Sequence, residues 1–266
     1  MPDATGPSSY PEPEYAMQTQ ANDNYPWYLP SIDKKLVPER DQAWKIRIYP
    51  CTGLGVWLMS TLSRSPAYPE ILNRIKNGGK YLDIGCFIGQ DMRRLVFDGA
   101  SSTNLYGVDI ISHWDVGFEM FRDRDTFSAQ FIEADYMSSD SSLRKLEGAV
   151  DVVFISQVLH QWNWDGQVRA AQRLVDFSKP GTLVAGCQIG DVTGHEVIFG
   201  PSKVALWRHD VESFAKMWHH VGAETGTKWE TEAWLRTWED MDWDPQDQAF
   251  LGESAKIIEF VVKRAQ

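Results

Sequence analysis

Three aspartates and two glycines carry the most legible chemistry of the chain. In Lys80-Tyr81-Leu82-Asp83-Ile84-Gly85-Cys86-Phe87-Ile88-Gly89-Gln90-Asp91 an apolar run ends in Asp83, and Gly85 and Gly89 follow. A glycine turn at the end of a strand lets backbone N–H groups and a helix N-terminus approach a ligand closely. Asp83 puts a negative charge beside that turn, which suits a cationic, amine-bearing ligand better than a pyrophosphate. Asp109 lies about two dozen residues after the turn, where a carboxylate can accept both hydroxyls of a ribose. Asp135 follows in Ile132-Glu133-Ala134-Asp135-Tyr136-Met137, where a carboxylate can accept an adenine amino group. Each aspartate alone would also serve as a helix or turn cap. Three at successive strand ends argue for one shared ligand.

These residues need a sheet to bring them together. Strands are expected at 80–85, 104–109, 129–134, 150–156 and 182–187, alternating with helices near 89–98, 113–124 and 165–177. A helix at 210–221, a strand around 223–230 and an apolar strand over 257–262 close the pattern. Strands alternating with helices imply a mostly parallel sheet covered on both faces, an α/β fold. In such sheets ligands bind outside the carboxyl ends of the strands. Before the sheet, 51–63 has helical spacing broken by Pro66, and 68–76 reads as a short helix stopped by Gly78-Gly79. The organisation expected is a flexible tail over 1–24, an N-terminal helical lid and substrate segment over 25–79, and a core over 80–266.

Bulk composition narrows the partners. The 266 residues suffice for one full core. A formal charge of −11 repels phosphate backbones, so neither nucleic acid nor an anionic membrane surface is expected as a partner. The 3 cysteines, Cys51, Cys86 and Cys187, are not closely spaced, which fits a reducing compartment and neither a disulfide framework nor a metal site. The first residues resemble no signal peptide, and no apolar run is long enough to span a bilayer. A cytoplasmic protein is expected. Twelve tryptophans include many outside the motif-bearing centre, which suits core packing or a wide aromatic pocket for a hydrophobic substrate.

The spacing Asp83-x-Gly85-x-Phe87-x-Gly89 resembles the first motif of the class I S-adenosylmethionine (SAM) methyltransferases, with Phe87 where the middle glycine belongs. Ser178-Lys179-Pro180-Gly181 resembles the loop before the fifth strand of that superfamily. The resemblance implies a Rossmann-like, doubly wound seven-stranded sheet. It also implies that Asp83, Gly85, Gly89, Asp109, Ile110, Ala134, Asp135 and Gln157 bind SAM. An NAD-dependent reading would require an anionic pyrophosphate to pass Asp83. The flanks Trp44-x-Ile46-Arg47-x-Tyr49-Pro50-Cys51-Thr52-Gly53 and Gln157-Val158-Leu159-His160-Gln161-Trp162 resemble small fungal secondary-metabolite enzymes, the carboxyl methyltransferases of meroterpenoid pathways such as those of austinol, andrastin and terretonin. That resemblance implies esterification of a farnesylated dimethylorsellinic acid intermediate, a small hydrophobic aryl acid, by a homodimer.

An acid acceptor agrees with the residues. A carboxylic acid with a pKa of about 4 is already ionised at neutral pH, whereas a phenol near about 10 would need a base. His160 is the candidate for a substrate contact or a base, and Trp162, Trp27 and Trp207 are candidates for the acceptor pocket. Arg47 and Arg208 suit either a substrate carboxylate or a surface ion pair. No histidine has ligand spacing for a metal. Two alternatives remain at this stage. One is a phenol O-methyltransferase; the other is a methyltransferase-fold cyclase or isomerase, motivated by Phe87 in the glycine turn.

Overall fold

The central strand β1, Tyr81–Ile84, is buried along its whole length. Its alternate residues feed two different cores, because successive side chains of a strand point to opposite faces. Leu82 and Ile84 pack in one layer with Val153, Ile155, Val184, Leu174 and Trp218, while Tyr81 joins Ile71, Met92, Leu95, Phe154 and Leu183 in the other. Being covered on both faces explains why β1 and β4 (Val150–Ile155) read as continuous apolar runs rather than as alternation.

The computed structural model describes residues 37–47, 50–200 and 203–266. The expected tail over 1–24 and the candidate Trp27 lie outside the described residues. Before β1 come α1 (Val37–Ile46), α2 (Pro50–Leu54), two 3-10 turns at Val56–Leu58 and Leu62–Arg64, and α3 (Tyr68–Lys76). The alternation then runs α4 (Gln90–Phe97), β2 (Leu105–Asp109), α5 (Trp114–Phe121), β3 (Gln130–Glu133), β4, α6 (Trp164–Phe177) and β5 (Ser178–Asp191). It continues with β6 (His195–Phe199), β7 (Val204–Arg208), α7 (Val211–Thr225), β8 (Trp229–Arg236) and β9 (Ala255–Arg264). Asn163 caps α6 by accepting from the Gly166 N–H at 3.0 Å, and Asp210 with Ser213 forms a reciprocal box at the start of α7.

Among the described residues one sheet holds seven strands in the order β3-β2-β1-β4-β5-β9-β8. The first five are parallel, and β9 runs antiparallel to both β5 and β8. This is the Rossmann-like fold expected from the sequence. The chain winds outward from β1 to β3, then returns to place β4 on the other side of β1. The reversal opens a crevice at the carboxyl ends of β1, β2 and β4.

Three expectations are corrected. β5 starts at Ser178 and continues beyond 187 to Asp191, since its last residues pair with β9 (Gln188 with Ile258, Asp191 with Ala255) and Gly190 bridges His209 on the other side. The late strand begins at Trp229 and not near 223, because α7 runs on until Gly226 ends it at φ 68°. The hairpin β6–β7, a separate two-stranded sheet, was not expected at all. Among the described residues no helix is long and apolar enough to cross a membrane.

Candidate functional site

A cavity of about 210 Å³ occupies the crevice. Its floor is built by the strand ends and the turns that follow them: Asp83, Gly85, Phe87, Asp109 and Gln157 all line it. The segment before the sheet contributes Cys51, Leu54, Trp57, Met59 and Thr61 across the front. The far wall comes from the hairpin and the C-terminal elements, with Phe199, Leu206, Arg208, Trp243 and Phe250. His160 projects from the 3-10 turn Leu159–Gln161 into the same space.

The glycine turn keeps the conformation its motif needs, although Phe87 replaces a glycine. Gly85 and Gly89 have φ of 70° and 73°, and Phe87 itself has φ 49°. A left-handed conformation costs a side-chain-bearing residue roughly 1–2 kcal/mol. Packing offsets that cost: the Phe87 ring stands edge-on to Trp57 with centroids 5.3 Å apart and lies 4.5 Å from the His113 ring. At Gly85 no side chain fits, since a Cβ would lie 2.4 Å from Val158 Cγ2.

Electrostatics divide the cavity in two. Asp83 is almost fully buried, and no hydrogen bond to its carboxylate occurs among the described residues. Burial, with Asp91 and Asp109 nearby, holds its pKa well above the usual carboxylate range. Asp109 accepts from the Phe87 N–H at 3.0 Å and the Ile110 N–H at 2.8 Å, through one oxygen each. Burial nevertheless pushes its pKa up to about 6. Asp91, in the first turn of α4, accepts from Ser60 Oγ at 2.7 Å and the Leu62 N–H at 3.0 Å, so it ties the preceding segment to the glycine turn. On the opposite side burial first, and then the charge of Arg208, lower His160 to about 4; its Nδ1 is buried without a partner among the described residues.

The candidates chosen from the sequence do not all meet in this cavity. Asp83, Gly85, Asp109, Gln157 and His160 line it together. Gly89 starts α4 behind the turn, and Ile110 is exposed beside Asp109. Ala134 is buried and donates its N–H to the Asp109 carbonyl at 2.9 Å, while Asp135 accepts from the Met137 N–H at 2.9 Å in a turn of its own. These four stand at the same sheet edge but outside the lining. Trp162 packs edge-on against Tyr136, 6.3 Å away, and Trp207 lies against Trp164 at 5.2 Å, both away from the cavity. Trp243 was one of the tryptophans outside the centre that suit an aromatic pocket, whereas sequence reasoning missed Asp91, Phe199 and Leu206. Gly200-Pro201-Ser202-Lys203 between two apolar runs was the signal for the hairpin that carries two of them.

No family model matches the chain. It is 36% identical over 250 residues to the O-methyltransferase phiE of Fungal sp., a match spanning 85% of this chain and 80% of that one. It is 35% identical to the methyltransferase ausD of Penicillium brasilianum, over 73% of this chain and 72% of that one. The chain belongs to the fungal meroterpenoid-pathway methyltransferases. A further relative of this methyltransferase, the O-methyltransferase atr3 of Stereocaulon alpinum, is 40% identical over 77% of the chain, and the match spans 61% of that relative's length. Among solved structures, a 1,6-didemethyltoxoflavin-N1-methyltransferase of Burkholderia thailandensis with bound S-adenosylhomocysteine superposes with a TM-score of 0.56. The identity is 13%, over 86% of this chain and 88% of that one, a likeness of fold. The cofactor expected from the sequence thus occurs, in its demethylated form, in a solved enzyme of the same fold.

The residues of this methyltransferase fit SAM on three counts. An unpaired, buried Asp83 carboxylate calls for a cation beside it. Asp109, with backbone donors from Phe87, Ile110 and Ile111 only, keeps lone-pair capacity for a ribose hydroxyl. The space that a Cβ at Gly85 would need is already taken by Val158, so the turn leaves bare backbone against the cavity.

Proposed function

We propose that this methyltransferase uses SAM to esterify the carboxylate of a hydrophobic aryl acid, of the farnesylated dimethylorsellinic acid type, in fungal secondary metabolism. On this reading Asp83, Asp109 and the turn through Gly85 hold the cofactor, with Gln157 beside its methionine part. The segment expected over 25–79, of which 37–47 and 50–79 lie within the described residues, serves as the lid, 80–266 as the catalytic core, and the chain works as a homodimer. The observation that carries the reading is the polarity of the cavity. Carboxylates gather on the floor, while the far side offers apolar walls and a histidine held neutral.

The chemistry needs little more from the protein than position. Bound SAM supplies an electrophilic methyl group: the new O–CH3 bond forms as the S–CH3 bond breaks, the bonding pair leaves with sulfur, and no proton moves. The side chains must align an oxygen with that methyl and exclude water from the anion. A histidine lowered to about 4 is a poor acceptor for a phenolic proton but can hydrogen-bond an acid. The dry walls favour a step in which opposite charges disappear.

The test is incubation with methyl-labelled SAM and a farnesylated dihydroxybenzoic acid, followed by mass spectrometry before and after mild alkali. An alkali-labile methyl ester is expected. Label that survives alkali as an aryl ether would overturn the carboxyl assignment.

A further inference from the structure

We propose that Arg208 is the carboxylate anchor of the acceptor site, the side chain by which this methyltransferase selects a free acid over its ester. The inference rests on the proposed acid acceptor and names the group that recognises it. Arg208 ends β7 and is only 9% exposed, yet it lines the cavity. Among the described lining residues it is the one with a permanent positive charge. The floor holds Asp83, Asp91 and Asp109, so a cation is favoured there and an anion at the Arg208 side.

The hydrogen bonds of Arg208 are incomplete in a telling way. Nη1 donates to the Leu251 carbonyl at 2.7 Å, which fixes the guanidinium plane. The same Nη1 forms an ion pair at 3.5 Å with the buried Asp191 Oδ2, and Asp191 also accepts from the Val192 N–H at 2.8 Å and from Ser254 Oγ at 3.0 Å, the latter on the same Oδ2. No acceptor among the described residues meets Nε or Nη2. That edge of the guanidinium is a preformed two-pronged donor matching the two oxygens of a carboxylate. A carboxylate gripped by both oxygens still has a lone pair free on each for attack on a methyl group. Once the acid has become a neutral ester, the charge-assisted pairing is lost, so the same arginine favours product departure.

The experiment is calorimetric titration of the S-adenosylhomocysteine-loaded protein with a farnesylated dihydroxybenzoic acid and with its methyl ester. Wild type is expected to bind the acid at least about tenfold more tightly than the ester. Arg208→Gln should abolish that preference, raise KM for the acid by at least about tenfold and leave S-adenosylhomocysteine affinity within about twofold. Arg208→Lys should restore part of the preference. Because Arg208 also holds Leu251, Leu206→Asp is the second variant: it adds a competing anion on the same strand face and keeps the arginine. It should weaken acid binding by a larger factor than ester binding, and so narrow the preference. Ester formation with acid preference intact in Arg208→Gln or Leu206→Asp overturns this inference alone. Transfer to a phenolic oxygen overturns it together with the carboxyl assignment.

Discussion

A carboxyl group expected to grip a ribose sits at Asp109 in surroundings that favour its protonated form. Its pKa of about 6 lies above the ordinary aspartate value, so the folded protein holds a proton that the unfolded chain releases between about pH 4 and 6. The contribution of Asp109 to stability therefore falls as pH rises through that window. Asp109→Asn should flatten this part of the pH dependence of urea unfolding without cofactor. Ribose hydroxyls donate to the ionised form, so SAM affinity should strengthen several-fold between pH 5 and 7.5 in wild type and change less in Asp109→Asn. Equal slopes in titration calorimetry would contradict the role. His160 titrates the other way: lowered to about 4, it stays neutral across the working range. Its ring protons should show no NMR transition near pH 6.5, and a transition there would restore it as a candidate base. These two residues were legible because their spacing from the glycine turn locates them. Trp207 was less so, since its orientation depends on strand parity. Leu206 and Arg208 share one face of β7 and line the cavity, which leaves Trp207 on the other face, against Trp164.

Between the strand end and the following turn, fit is decided by the contact of Gly85 with Val158. Gly85→Ala adds a Cβ at a positive φ and within 2.4 Å of Val158 Cγ2. SAM affinity should fall at least about tenfold, and Val158→Ala in the same chain should recover part of it, a coupling that two independent effects would not show. Phe87→Gly tests the odd residue of the motif. Relief of about 1–2 kcal/mol of left-handed strain is outweighed by loss of the ring from Trp57 and His113. Melting temperature should drop by several degrees with SAM affinity within about threefold; a large gain in affinity would mean that the ring crowds the cofactor. The strand-helix alternation was readable because buried parallel strands are continuous apolar runs. The extension of β5 was not, since Gln188, Gly190 and Asp191 carry no apolar pattern. The acidic run 239–244 has the composition of a solvated loop. Its charged residues are exposed, but Met241 and Trp243 turn inward, and Trp243 reaches the cavity.

Across the whole molecule, the front of the cavity depends on one buried carboxylate. Asp91 binds Ser60 and Leu62, and so holds the segment before the sheet against α4. Asp91→Ala leaves the Leu62 N–H without its acceptor and should cost about 2 kcal/mol, with faster proteolysis between residues 50 and 66. Asp91→Asn should lose less. Unchanged cleavage in Asp91→Ala would show that the segment is held by its apolar contacts alone. Such a link between elements 31 residues apart has no signature in a single sequence. The hairpin β6–β7 has a different consequence. Its strands pair with each other and join the main sheet at the bridge of Gly190 with His209, while Phe199, Leu206 and Arg208 reach the cavity from it. Changes to its length or side chains leave the seven-stranded ladder intact. On the proposed acceptor site, rewriting this one ribbon changes acceptor range, and grafting it from one relative onto another should carry its preference along.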